Sequence, residues 1–168
     1  NTEMIDIVLK AGADPRKGDY DGNTPLHDAC KHITSEGYKI DILIKADHTV
    51  LQMANKTGQT PLHLAVSSLG RTATTYGLSL NNLANLKKLV TAGANPTAQD
   101  KNGNTPLHRA LILYRTHITP ETIQVLLDSS GNIKNIQNSF NKKPIDLLKE
   151  LNKATIERSD EIESLETP

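Results

Sequence analysis

Asp21-Gly22-Asn23-Thr24-Pro25-Leu26-His27 returns as Thr57-Gly58-Gln59-Thr60-Pro61-Leu62-His63, and again as Asn102-Gly103-Asn104-Thr105-Pro106-Leu107-His108. A unit recurring every few dozen residues marks a stack of like modules, each burying its apolar face against its neighbours. The residue types suit a helix start. Thr can cap a helix, and Pro in the first helical position gives up no needed donor. The Gly two residues before each Thr suits a turn that needs a positive φ.

The unit extends outward from this heptapeptide. Gly12-Ala13-Asp14-Pro15 precedes the first copy and Gly93-Ala94-Asn95-Pro96 the third. Ahead of these lie Ile5, Val8 and Leu9 in one place, and Leu83, Leu86, Leu89 and Val90 in the other, at helical spacing. Gly12, Gly93 and Gly131 stand where such helices end.

This pattern resembles the ankyrin repeat. The resemblance implies an all-α repeat solenoid of helix-turn-helix units joined by β-hairpin-like fingers. It also implies a structural role for each His, tying its own helix start to a neighbouring finger. The copies begin 36 and 45 residues apart, and a decayed one at Lys143-Pro144-Ile145-Asp146 follows after 38. Against a period of about 33, the units carry roughly 3, 12 and 5 extra residues. The expected organisation is a partial unit at 1–15, units at about 16–51, 52–96 and 97–134, a decayed C-terminal cap at 135–156 and an acidic tail at 157–168. The second of these carries an insertion at 67–82. Asn1 to Leu9 align with a second helix lacking its first, which predicts a longer parent chain and incomplete packing of Met4, Ile5, Val8 and Leu9.

Composition narrows the function classes. The 168 residues carry no net formal charge, but Glu157–Pro168 holds −4, leaving +4 on the remainder. So mild an excess makes no nucleic-acid footprint, and 3% aromatic content with no Trp leaves no stacking platform. No apolar run reaches membrane length. One cysteine, Cys30, fits a reducing compartment. The expected location is the cytoplasm, although a secreted protein acting inside another cell would share this composition.

His27, Cys30 and His32 include zinc-ligand types, but His27 has a repeat-defined place and helical geometry turns His32 away from it. His63 and His108 recur at equivalent positions with no nucleophile beside them, so neither reads as a general base. Phosphate loops, dinucleotide fingerprints and His-Glu-x-x-His are missing. The expectation is therefore a non-enzymatic module without cofactor or metal, monomeric, with a protein partner. A regulatory arm of a larger enzyme or of a host-directed effector is the alternative.

Resemblance to the family places partner contacts on the finger tips and on the exposed side of each first helix. Mapped here, the fingers supply Tyr20, Asp21, Asn23, Lys56, Thr57, Gln59, Lys101, Asn102, Asn104, Ser139, Phe140 and Lys142. The helices supply Asp28, Lys31, His32, Ser67, Ser68, Arg109, Ile112 and Leu113. The Gly-, Ser- and Thr-rich insertion reads as a loop after an extended first helix, with Arg71 and Tyr76 as candidate contacts. Ser159 could cap a short helix in the acidic tail.

Overall fold

Pro25, Pro61, Pro106 and Pro120 each open a helix. The structure, a computed structural model, describes residues 2–31, 37–69, 78–113, 118–130 and 132–150. In chain order the helices are α1 (Thr2–Lys10), α2 (Pro25–Lys31), α3 (Gly37–Ala46), α4 (Pro61–Leu69), α5 (Leu78–Thr91), α6 (Pro106–Ile112), α7 (Pro120–Ser129) and α8 (144–150). Single 3-10 turns lie at His48–Gln52 and Ile133–Asn135.

Two layers result. The short helices α2, α4 and α6 pack side by side in one, and α1, α3, α5 and α7 in the other. Between them the Leu of each recurring tetrapeptide is buried: Leu26 and Leu62 fully, Leu107 to 2% exposure. Ile40, Val50, Leu51, Leu86, Leu89, Leu126 and Ile133 fill the same core from the other side. At the first end of the stack Met4 and Val8 remain 59% and 47% exposed, while Ile5 and Leu9 pack partly against the core.

The histidines join unit to unit. Thr24 N–H meets His27 Nδ1 at 3.1 Å, and the Thr24 hydroxyl lies 2.8 Å from the same nitrogen. His27 Nε2 reaches the Gln59 carbonyl at 2.9 Å. His63 repeats the arrangement between Thr60 and Asn104, and His108 between Thr105 and Lys142. A backbone N–H can only donate and a carbonyl can only accept. Each ring is therefore neutral, bare at Nδ1 and protonated at Nε2. Burial holds all three below the ordinary His pKa, partly countered by the carbonyl that each faces.

Asp146 stands where the fourth His would be. Its carboxylate accepts from Lys143 N–H at 2.9 Å, replacing the Nδ1 half of the bond.

The fingers are four copies of one polar turn. Asp19 Oδ1 accepts from the N–H of Asp21 and of Asn23, at 2.9 and 2.8 Å. Asn55, Asp100 and Asn138 do the same for the residues two and four further on. An Asx side chain thus supplies the acceptor that closes each turn. Neighbouring fingers are tied by Lys56 N–H to Asp21 O, Lys101 N–H to Thr57 O and Ser139 N–H to Asn102 O. Each finger is a tight, hairpin-like turn, closed by a backbone bond such as Asp19 N–H to Asn23 O, and no strand is formed among the described residues.

Close stacking explains the finger glycines. Gly103 has φ +71, and a Cβ there would lie 2.5 Å from Ser139 N. In the fourth finger Asn141 takes the left-handed position at φ 56.

The edges of the 67–82 insertion are helical, its first residues extending the helix before it as the sequence suggests. Ser67–Leu69 belong to α4 and 78–82 to α5, because the helical hydrogen bonding continues at both edges. Arg71, Tyr76, His32, Gly131, Ser159 and the acidic tail lie outside the described residues.

Leu107→Ala is expected to cost roughly 2–5 kcal/mol of folding stability through cavity formation. Gly103→Ala should cost more than about 1 kcal/mol through its positive φ and the backbone contact, whereas exposed Lys101→Ala should stay within about 0.5 kcal/mol. Urea titration of the three variants checks the order.

The histidines set a pH dependence. Their folded pKa values lie below 6.5, so the unfolded chain takes up protons first as pH falls. Stability should be level above about pH 7.5 and decline below about 6.5, with proton uptake on unfolding approaching one per buried ring. His63→Gln should remove one proton from that uptake, measured as the slope of unfolding free energy against pH.

Candidate finger-and-groove surface

Tyr20 is 95% exposed at the first finger, and Phe140 is 70% exposed at the fourth. Asp21, Lys56, Lys101 and Asn102 are exposed finger residues, and Asp28 and Lys31 are exposed on α2.

A cavity of about 410 Å³ lies between the first two fingers and the inner helices. Asp21, Asn23, Lys31, Lys56, Thr57, Gln59, Ser67, Ser68 and Arg109 of the sequence-predicted residues meet there. Arg109, half-buried on α6, donates from Nη2 to Ser67 Oγ of α4 at 3.3 Å. Its Nε is buried with no acceptor. The Ser67 hydroxyl in turn lies 2.9 Å from the His63 carbonyl of its own helix.

Other predicted contacts have structural duties. Asn23 is 8% exposed and Asn104 is 4% exposed, because their amides are the rungs between fingers. Asn55 Nδ2 donates to Asn23 Oδ1 at 2.8 Å, and Asn138 Nδ2 to Asn104 Oδ1 at 2.9 Å. Both amides are thus engaged between fingers, and Asn23 also lines the cavity. Ser68 is also turned inward, at 5% exposure. Gln59 is half-buried, with its carbonyl taken by His27 and by Asn55 N–H. Lys142 pairs with Glu150, which raises its pKa above the usual Lys value. Ile112 is exposed and Leu113 half-buried at the end of α6.

Asn55 and Leu64 line the cavity without having been anticipated. A signal for Asn55 was present: Asp or Asn stands three residues before each finger Gly, at 19, 55 and 100. The same bonding lowers the Asp19 carboxyl pKa, first through the Asn23 N–H. Leu64 carried no signal, since an apolar residue on an amphipathic helix reads as core.

Both nitrogens of His27 are engaged, and burial pushes the Cys30 thiol pKa far up, keeping it neutral. Among the described residues no group of three metal-ligating side chains assembles, and no helix is long and apolar enough to cross a membrane.

Family models described as ankyrin repeats match residues 1–78 and 75–127. The mouse B-cell lymphoma 3 protein homolog is 38% identical over 118 residues, covering 68% of this chain and 23% of the relative. Mouse NF-kappa-B inhibitor alpha is 36% identical over 104 residues, covering 58% of this chain and 28% of the relative. Vaccinia virus Inhibitor of Apoptosis OPG037 is 38% identical over 65 residues, covering 39% of this chain and 13% of the relative. The chain spans only about a quarter of the first two relatives, and none of the three names is that of an enzyme. Recurring heptapeptide, two-layer stack, stacked fingers and family models agree, and the chain belongs to the ankyrin-repeat family.

Proposed function

We propose that this chain is a protein–protein interaction module whose contact surface is formed by the finger tips and the inner helices. One observation carries the reading: exposed Tyr20, Lys56, Lys101 and Phe140 stand on turns that the buried His and Asx bonds hold in place. Residues on a pre-ordered scaffold lose little conformational freedom when a partner docks. Tyr, Phe and Arg are the types that most often anchor an interface, and Tyr20, Phe140 and Arg109 are the candidates of those types.

The names of two relatives, an NF-kappa-B inhibitor and an inhibitor of apoptosis, are those of proteins acting on other components. They support binding as the mode of action and leave this chain's partner to its own surface residues. The unit boundaries that accompany the proposal are those read from the repeat spacing, with helical residues 67–69 and 78–82 assigned to α4 and α5. A monomer working inside a cell is the form proposed for it.

Capture from cell lysate by the 168-residue chain, compared with a Tyr20→Ala/Lys101→Ala/Arg109→Ala variant of matched melting temperature, tests the proposal. The expected outcome is a protein retained by the first and lost by the second. Identical capture by both would sink the finger-and-groove assignment.

A further inference from the structure

We propose that the cavity between the first two fingers is a docking site for an acidic peptide segment of the partner, read by Lys31, Lys56 and Arg109 through its Asp and Glu carboxylates. This rests on the interaction-module reading and names the chemistry that it recognises.

Charge carries the argument. Three cations line the cavity against one carboxylate, Asp21. Lys31 comes from the end of α2, Lys56 from the second finger and Arg109 from α6, so three separate elements converge on one space. Among the described residues none of the three has a carboxylate at ion-pair distance, whereas Lys10, Lys88 and Lys142 elsewhere each have one. The nearby acids have other work. Asp19 and Asp100 accept from the N–H groups that close their own turns.

Arg109 is the sharpest of the three. A half-buried guanidinium is left with a neutral hydroxyl as partner and with Nε unsatisfied, an arrangement unfavourable to the isolated fold. A carboxylate entering the cavity supplies the missing countercharge, and planar guanidinium matches it in two-point geometry. The remaining lining carries no charge: Asn23, Asn55, Thr57, Gln59, Ser67 and Ser68 are polar and Leu64 is apolar, which suits an extended backbone.

The test is fluorescence anisotropy with three labelled probes: a peptide alternating Glu with Gly over about ten residues, its Gln counterpart and its Lys counterpart. An oligothymidylate of equal negative charge forms a fourth arm. The Glu peptide is expected to bind about tenfold or more tighter than the Gln peptide at low salt, the gap narrowing as salt is added. A K31E/K56E variant, changed at two exposed positions, should melt as the parent does and invert the preference toward the Lys peptide. Arg109→Gln should weaken the Glu peptide without that inversion.

Equal binding of Glu and Gln peptides, an unchanged order in K31E/K56E, or tighter binding of the oligothymidylate would each overturn the proposal. The two readings fail separately. Lysate capture lost in the finger variant but no preference for the Glu peptide would retain the interaction module and remove its acidic ligand. Glu-peptide binding with capture indifferent to the finger variant would do the opposite.

Discussion

The hydrogen bond from a buried imidazole Nε2–H to the next finger's carbonyl is the interaction on which this stack depends. Leu26, Leu62 and Leu107 bury apolar area, but such burial has no direction. His27, His63 and His108 add the direction: each ring fixes its own helix start at Nδ1 and the neighbouring finger at Nε2. A buried ring with both nitrogens satisfied avoids the desolvation cost of a lone polar group. Protonation breaks this balance, because a proton on Nδ1 would face a backbone donor.

Finger geometry follows from that bond. The carbonyls of Gln59, Asn104 and Lys142 are reached by His Nε2 only where the Asx turns place them. Each turn is closed by one side-chain oxygen and stacked on its neighbour by one backbone bond, so small departures are costly at Gly58 and Gly103, where neighbouring backbone lies closest.

The fourth unit varies the pattern. Asp146 keeps the contact to its own helix start, and a carboxylate has no proton with which to bind a finger carbonyl as His Nε2 does. Asn141 keeps the left-handed turn at φ 56. The fourth finger still docks through Ser139 N–H and Asn138, although the family models end at residue 127.

The sequence by itself determined the architecture: a heptapeptide with Thr, Pro, Leu and His at fixed spacing is a local rule that each unit satisfies alike, and α2, α4 and α6 begin where it says. Exposure at Tyr20, Lys101 and Phe140 was legible for the same reason, since a finger tip is solvent-facing in any stacked unit. Tertiary structure alone separated Asn23 and Asn104 from their exposed neighbours, because an amide becomes a rung only when Asn55 or Asn138 of the following finger faces it. It also gathered Lys31, Lys56 and Arg109, which are 25 and 53 residues apart in sequence. Periodicity reports which face of an element is apolar; which polar side chains from different units share one space depends on the stacking itself, and that is set by long-range bonds no local pattern encodes.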